Sequence, residues 1–362
     1  MTLPSIARAA LVPCLAVMTA LLMGAVIILG AGGDALLAYR GLWEGSLGRP
    51  EAISESLAWS TPYILGGLAV ALAFRAGLFN IGAEGQIGDG ALCAVYVGYA
   101  ATWLPGPLHL IAAIGAGIAG GAAWGFLPGV LKARTGAHEV ITTIMLNYVA
   151  IQVTSWLLAG TMKDPSPFIA MAQTPKILES ARFPILVEGY RLHRGFVLAI
   201  VAAIAVWLYL RSTTAGFEIR TVGASSQAAR YAGISVEGTT VLAMSLSGAL
   251  AGLAGTIEVV ALNHYHTPGF SVGYGVDSIA VALLGRGHAL GLIPAAFLFG
   301  ALRAGAMRMQ FLSQIPIDVI SSIQALILIL IAAPAIIRFL FRLPVAGESG
   351  GAALSSRWGK SA

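Results

Sequence analysis

Apolar runs of membrane length alternate along this chain with short polar stretches. A transmembrane helix needs about 20 predominantly apolar residues. The pattern predicts helices over 9–33, 56–74, 91–104, 108–131, 139–158, 195–210 and 240–260. It therefore indicates an all-α, polytopic integral membrane protein.

The last third of the chain is less regular. Residues 277–302 contain two apolar runs separated by a polar turn, so they form either two brief spans or one re-entrant element. Two spans are favoured, with a last helix over 317–337. The prediction is then about ten spans, with a range of eight to ten, and both ends inside. Residues 1–344 form the membrane domain and 345–362 a flexible cytoplasmic tail.

Three polar stretches separate these runs. Residues 34–55 are predicted to be an external loop. Residues 160–194, with four prolines among their charges, are also placed outside. This second stretch is either a docking surface for a soluble protein or an ordinary solvated loop.

The third stretch, 211–238, is a polar island between two long apolar runs and is predicted to lie inside. Ser225 or Ser226 can cap a short helix over 227–232, because a serine hydroxyl accepts from free N–H groups at a helix start. Gly233 suits the left-handed residue that ends such a helix. Its small side chains and one large one, Tyr231, predict a knob that fits a partner's cleft. The alternative is a solvated loop.

Glycines crowd residues 75–89, where a continuous helix is disfavoured because each glycine costs about 1 kcal/mol relative to alanine. Broken backbone at membrane depth survives where it is buried in protein or lines a cavity. Asn80, Glu84 and Gln86 supply polar groups at this break. They are candidate pathway residues, and the alternative is a plain cytoplasmic loop.

The run 139–158 carries a polar stripe of Glu139, Thr143 and Asn147, spaced four apart and so on one helix face. Polar side chains within a span usually face a cavity or a partner helix. The stripe is a second pathway candidate. Alternatively, Asn147 and Thr143 join helices, and Glu139 is an acidic residue of the first turn.

Glycines also line one face of the run 240–260. Gly248, Gly252 and Gly255 predict a surface that lets another helix approach closely. Glu258, near the outer end, is a further candidate for the lumen.

Composition excludes several function classes. Hydrophobic residues make up 57% and charged residues 10%, against about 25% charged in soluble domains. The basic residues are scattered between spans, which argues against nucleic-acid binding. His264 and His266 lack a neighbouring carboxylate or cysteine and make a weak metal site. No catalytic constellation, metal or cofactor is predicted.

Four stretches resemble a known family. They are GASSQAARYAGI (223–234), GLFNIGAEGQ (77–86), GAHEVITTIMLNY (136–148) and DSIAVALLGR (277–286). The chain resembles permeases of ATP-binding-cassette (ABC) importers for nucleosides, simple sugars and branched-chain amino acids, and is most similar to the nucleoside branch.

The resemblance implies a non-enzymatic transport subunit of a bacterial inner membrane. Its partners would be a cytoplasmic ATPase, a second permease, identical or similar, and an extracytoplasmic substrate-binding protein. The ATPase would contact the coupling segment 211–238, for which the candidates are Glu218, Gly223, Ala228, Arg230, Tyr231 and Gly233. Simple sugars or branched-chain amino acids are alternative substrates. A stand-alone secondary transporter is the alternative of another class, although no clear internal repeat supports it.

Overall fold

The computed structural model describes residues 3–166, 171–271, 273–316, 318–333, 336–337 and 340–341. The regular elements in these residues are helical: α1 (Leu3–Gly30), α2 (Ala35–Ser46), α3 (Pro50–Arg75), α4 (Ala83–Ala100), α5 (Gly106–Thr135), α6 (Glu139–Ala159), α7 (Gly195–Ser212), α8 (Thr214–Ala224), α9 (Ser226–Tyr231), α10 (Val236–Ile257), α11 (Tyr274–Leu284), α12 (Leu292–Ser313) and α13 (Asp318–Ala332). A 3₁₀ turn covers Glu179–Ala181 and a π-helical turn covers Glu258–Asn263. The all-α prediction is confirmed.

Within the described residues, six helices are long and apolar enough to cross a membrane: α3, α5, α6, α7, α10 with its π turn, and α12. Shorter apolar segments lie in α1, α11 and α13. The exact number of crossings stays a prediction, and the proposed tail 345–362 lies outside the described residues.

Helix α3 forms the centre of the molecule. Most of its length from Ser56 to Ala73 is buried, and it packs against α7, α10, α11 and α12. Pro62 lies inside this helix and does not end it. A span with neighbours on all sides has little surface left for lipid, so α3 is a core helix.

Helices α5 and α10 meet along glycines. A side-chain carbon at Gly121 would overlap the carbonyl oxygen of Gly248, and one at Gly252 would overlap that of Gly117. Gly255 stands equally close to the carbonyl oxygen of Ile87 on α4. The predicted small-residue face is confirmed, and it joins α4, α5 and α10 through direct backbone contact.

The prediction that residues 34–55 form a loop is wrong. It contains α2 and the first turns of α3. Asp34 caps α2, accepting from the backbone nitrogens of Leu36 (2.8 Å) and Leu37 (3.1 Å). Pro50 occupies the first turn of α3, where its missing N–H costs nothing.

Two further boundaries need correction. Helix α4 begins at Ala83, eight residues before the predicted start at 91, so the break is confined to 76–82. Helix α11 has 11 residues, which rise about 16 Å at 1.5 Å each, against a hydrocarbon core of about 30 Å. The favoured interpretation of 277–302 as two spans is therefore wrong for its first part, because α11 is too short to cross.

The polar stretch after α6 folds over the ends of α4 and α10. The Phe183 nitrogen donates to the Val260 oxygen (2.9 Å), and the Thr174 nitrogen donates to the His266 oxygen (3.0 Å). The cap thus holds the first residues of the connection from the π turn to α11, at His264 and His266.

Candidate functional site

A closed network of side chains holds the break between α3 and α4. The Asn80 Nδ2 donates to Gln86 Oε1 (2.8 Å) and to Ser247 Oγ (2.7 Å), and Gln86 Nε2 donates back to Asn80 Oδ1 (3.2 Å). All three side chains are buried. Ser247 in turn donates to the carbonyl oxygen of Ala69 on α3 (2.7 Å). The network ties the break to α3, α4 and α10.

Asn147 holds the same break from α6. Its Nδ2 donates to the carbonyl oxygen of Ile81 (2.9 Å), and its Oδ1 accepts from the backbone nitrogen of Gly85 (2.9 Å). One half-buried amide thus satisfies backbone groups on both sides of the start of α4. Free backbone groups there would otherwise carry a desolvation cost of about 1–3 kcal/mol each.

The other two residues of the α6 stripe differ in role. Thr143 is buried beside Gly82 and donates to its own helix at the Glu139 oxygen (2.7 Å). Glu139 pairs with Lys132 of α5 (Oε2 to Nζ, 2.9 Å). This ion pair closes the α5–α6 turn at Gly136, which has a positive φ of 69°. Glu139 therefore holds the α5–α6 turn together.

Glu84 joins α4 to the half-length helix α11. Its Oε2 accepts from the backbone nitrogen of Gly275 (2.7 Å), in the first turn of α11. A carboxylate suits this position, because the first N–H groups of a helix lack intrahelical partners and carry partial positive charge. Gly275 has no room for a side chain against the Glu84 backbone.

A cavity of about 120 Å³ opens beside Glu84, between α4, α6 and the connection 264–273. Its lining includes Glu84, Gly88, Thr154, Ser155, His266 and Phe270. Burial lowers the pKa of His266 to about 4, so the imidazole is neutral near pH 7.

The polar island forms two short helices, α8 and α9. Ser225 caps α9, its hydroxyl accepting from the Ala228 nitrogen (3.3 Å), and Gly233 follows the helix with φ of 78°. The sequence predicted this helix to within one residue at each end, but not α8 before it. The segment presents Ala228, Arg230 and Tyr231 to the outside, with Tyr231 96% exposed.

The two predicted sites are in contact. A side-chain carbon at Gly223, near the end of α8, would overlap the carbonyl oxygen of Arg75 at the end of α3. Gly77, with φ of 73°, faces the Gly223 backbone at the start of the break. Glu218, also on α8, is partly buried. The island is therefore packed directly on the break.

Sequence reasoning missed Ser247, Gly275 and the role of His266. Ser247 lies in an apolar run with no local signal, and its partner Asn80 is 167 residues away along the chain. His266 was considered as a metal ligand, and the sequence offered no carboxylate or cysteine beside it. The described residues contain no group of three His, Cys, Asp or Glu side chains placed to hold a metal.

Discontinuous helices with polar groups at the break occur in many membrane transport proteins. The chain belongs to the family described as branched-chain amino acid transport system / permease component, which residues 52–332 match.

Three relatives are similar over most of their length. The guanosine ABC transporter permease protein NupP of Bacillus subtilis is 43% identical, covering 91% of this chain and 95% of NupP. The nucleoside ABC transporter permease protein NupB of Lactococcus lactis is 34% identical, over 92% of this chain and 93% of NupB. The glucose ABC transporter permease protein TsgB13 of Haloferax volcanii is 33% identical, over 88% and 85%.

Proposed function

We propose that this chain is the permease subunit of an ABC importer that carries nucleosides across a bacterial inner membrane. The observation that carries the proposal is the 43% identity to NupP over 91% of the chain. The chain itself would be a transport subunit without catalytic chemistry, and ATP hydrolysis would take place in a separate cytoplasmic subunit.

The ATPase would dock on the coupling segment 211–238. Ala228, Arg230 and Tyr231 offer an exposed surface with both small and large side chains, and the Ser225 cap and Gly233 hold its shape. A helix that fits closely into the ATPase would pass a movement of the ATPase on to the residues packed beneath that helix. Behind this helix lies the break, reached through the contact between Gly223 and Gly77.

Displacement of the break would open the pathway. Glu84, Thr143 and Asn147 adjoin it and are proposed as pathway residues. Asn80 and Gln86, fully enclosed in this conformation, would set the position of the break until the coupling segment moves it. Glu139 would keep the α5–α6 turn fixed during that movement.

Two more partners complete the proposed assembly. A second permease would form the other half of the pathway. The outward face of α6 exposes Met145, Tyr148 and Trp156, a surface suited to lipid or to another membrane subunit. A substrate-binding protein would dock on the opposite side from the ATPase, where the cap 171–194 lies.

A sugar is the second candidate substrate, and the 33% identity to TsgB13 favours it. Glu84 and His266 offer hydrogen-bonding groups that sugar hydroxyls could also use.

The proposal is tested by ATP-driven uptake in proteoliposomes that hold the purified complex. Labelled guanosine, cytidine, ribose, glucose and leucine are offered in turn. Accumulation of nucleosides that requires ATP supports the proposal. Accumulation of glucose or ribose alone would show that the substrate is a sugar and not a nucleoside. Uptake by the chain without any ATPase would indicate a stand-alone carrier.

A further inference from the structure

The cavity beside Glu84 contains an unusual buried histidine. The His266 side chain belongs to a residue only 2% exposed, and neither ring nitrogen has a hydrogen-bond partner in the described residues. The carbonyl oxygens of Gly88 and Thr267 lie near the ring but outside hydrogen-bond geometry. Buried polar groups nearly always have partners, so such an exception requires an explanation.

Stacking holds the imidazole in place. Its ring centroid lies 4.5 Å from that of Phe270, at an interplanar angle of 35°. The backbone of His266 is fixed as well, because its nitrogen donates to Thr174 Oγ1 (3.0 Å). A neutral imidazole held in this way keeps one N–H donor and one nitrogen acceptor available.

Glu84 contributes the complementary chemistry to the same cavity. An ionised carboxylate has about four lone-pair sites. The Gly275 nitrogen takes one of them at 2.7 Å, and the Ser271 hydroxyl and the Val276 nitrogen lie close to the same carboxylate. The remaining capacity suits a ligand with adjacent N–H donors. Thr154, Ser155 and Ser271 add hydroxyl groups to the lining, and that of Ser271 lies close to the Glu84 carboxylate.

The size of the cavity limits the ligand. At about 120 Å³, it is smaller than the roughly 300–1,000 Å³ that encloses a drug-sized molecule. It therefore suits one flat ring system, with the rest of the molecule extending along the pathway.

We propose that this cavity is a base-recognition site for guanine, in which Glu84 accepts from N1–H and the 2-amino group and His266 donates to the O6 and N7 edge. Guanine presents O6 and N7 as neighbouring acceptors, whereas adenine replaces O6 by a donor amino group. The inference rests on the proposed nucleoside transport and adds the residues that select among nucleosides.

The test uses two variants and the reconstituted complex. His266→Phe keeps the flat ring and removes both nitrogens. Glu84→Gln keeps an acceptor for Gly275 and weakens acceptance of two donors. Uptake of guanosine, inosine and adenosine is measured separately, since inosine lacks only the 2-amino group of guanosine. A general folding defect lowers all three uptake rates alike, whereas loss of base recognition changes their ratios.

We expect His266→Phe to lower the guanosine-to-adenosine ratio of kcat/KM about tenfold or more, because a site built to hydrogen-bond a group rejects analogues lacking it. Glu84→Gln should lower the guanosine-to-inosine ratio. The matched control is His193→Phe. His193 is also buried and unpartnered, and its pKa is also lowered to about 4 by burial and by Arg191, but it lies outside the cavity.

Nucleoside uptake by the wild-type complex with ratios unchanged in both variants would overturn the inference and leave the proposed function standing. Absence of nucleoside uptake by the wild-type complex would overturn both. If His266→Phe does not reach the membrane, Glu84→Gln decides the question by its guanosine-to-inosine ratio.

Discussion

The side chain of Asn147, on α6, makes two hydrogen bonds to the backbone at the start of α4. It therefore links these two helices. The acceptor is Ile81 and the donor is Gly85. Leucine at this position would keep the volume and lose both bonds. An unpaired backbone group costs about 1–3 kcal/mol where it is shielded from water.

We therefore predict that Asn147→Leu lowers the rate of ATP-driven uptake at least about tenfold and lowers the unfolding temperature by a few degrees. Uptake assays and thermal unfolding in detergent measure the two effects. The control is Tyr148→Phe, at the next position but 64% exposed, which keeps the ring on the outward face and should leave both values unchanged. Equal uptake by wild type and Asn147→Leu would show that the break needs no support from α6.

Local signals explain why some residues of the site could be predicted from the sequence. A serine cap and a glycine terminator act within one helical turn, so α9 was placed almost correctly from the order of Ser225 and Gly233. The polar stripe of α6 was also readable from spacing. The different roles of Asn147 and Glu139 could not be predicted in this way. Asn147 bonds to Ile81 at the break and Glu139 pairs with Lys132 of α5, and both partners lie in other elements.

At the scale of helices, the sequence failed where tertiary packing decides. Helix α2 was missed because glycines weaken it locally, yet Gly41 and Gly45 let it approach the α12 backbone. The predicted first residue of α4 was too late in the sequence for the same reason. Gly85 packs closely against Asn147, and Gly90 against the backbone of Gly252. Each of these glycines lowers the intrinsic stability of its helix, whereas close packing of the helix backbones requires them.

The coupling segment gives a prediction at this scale. Ala228→Trp should weaken binding of the ATPase subunit or abolish substrate-stimulated hydrolysis, because overpacking a close contact typically costs about 1–3 kcal/mol. Arg230→Gln is the matched comparison on the same exposed helix. It should have a smaller effect, since surface ion pairs contribute about 0–1 kcal/mol. Co-purification and ATP hydrolysis by the complex measure both variants, and wild-type values for Ala228→Trp would rule out this segment as the docking site.

A second prediction separates docking from transmission. Gly223→Val places a branched side chain against the carbonyl oxygen of Arg75. The ATPase-facing surface of α9 stays intact, so we expect the ATPase to remain bound while uptake falls more than about tenfold. Gly238→Ala serves as control, because its nearest neighbour is the Ser235 hydroxyl. Uptake and co-purification are compared side by side, and full uptake by Gly223→Val would mean that the signal takes another route.

For the whole molecule, the glycine contacts between α5 and α10 determine stability. Gly252→Leu would force the two backbones apart, and overpacking of this severity costs several kcal/mol against a total stability of about 5–15 kcal/mol. We expect little or no folded protein in the membrane. Gly115→Leu, on the partner helix α5 but with open space around the added side chain, should accumulate normally. Fluorescence-detected size-exclusion chromatography of both variants checks this, and normal levels of Gly252→Leu would contradict it.

Backbone contact of this kind has a mechanical consequence. Interlocked glycines leave no side-chain layer that two helices can slide over, so α4, α5 and α10 are expected to travel as one rigid body. The freedom needed for alternating access must then reside in joints at the ends of this body. Two segments have the right position, 76–82 before α4 and 267–271, which follow the residues held by the cap. Spin-label distances within the rigid body should stay constant through the ATP cycle, while those measured across the two joints should change.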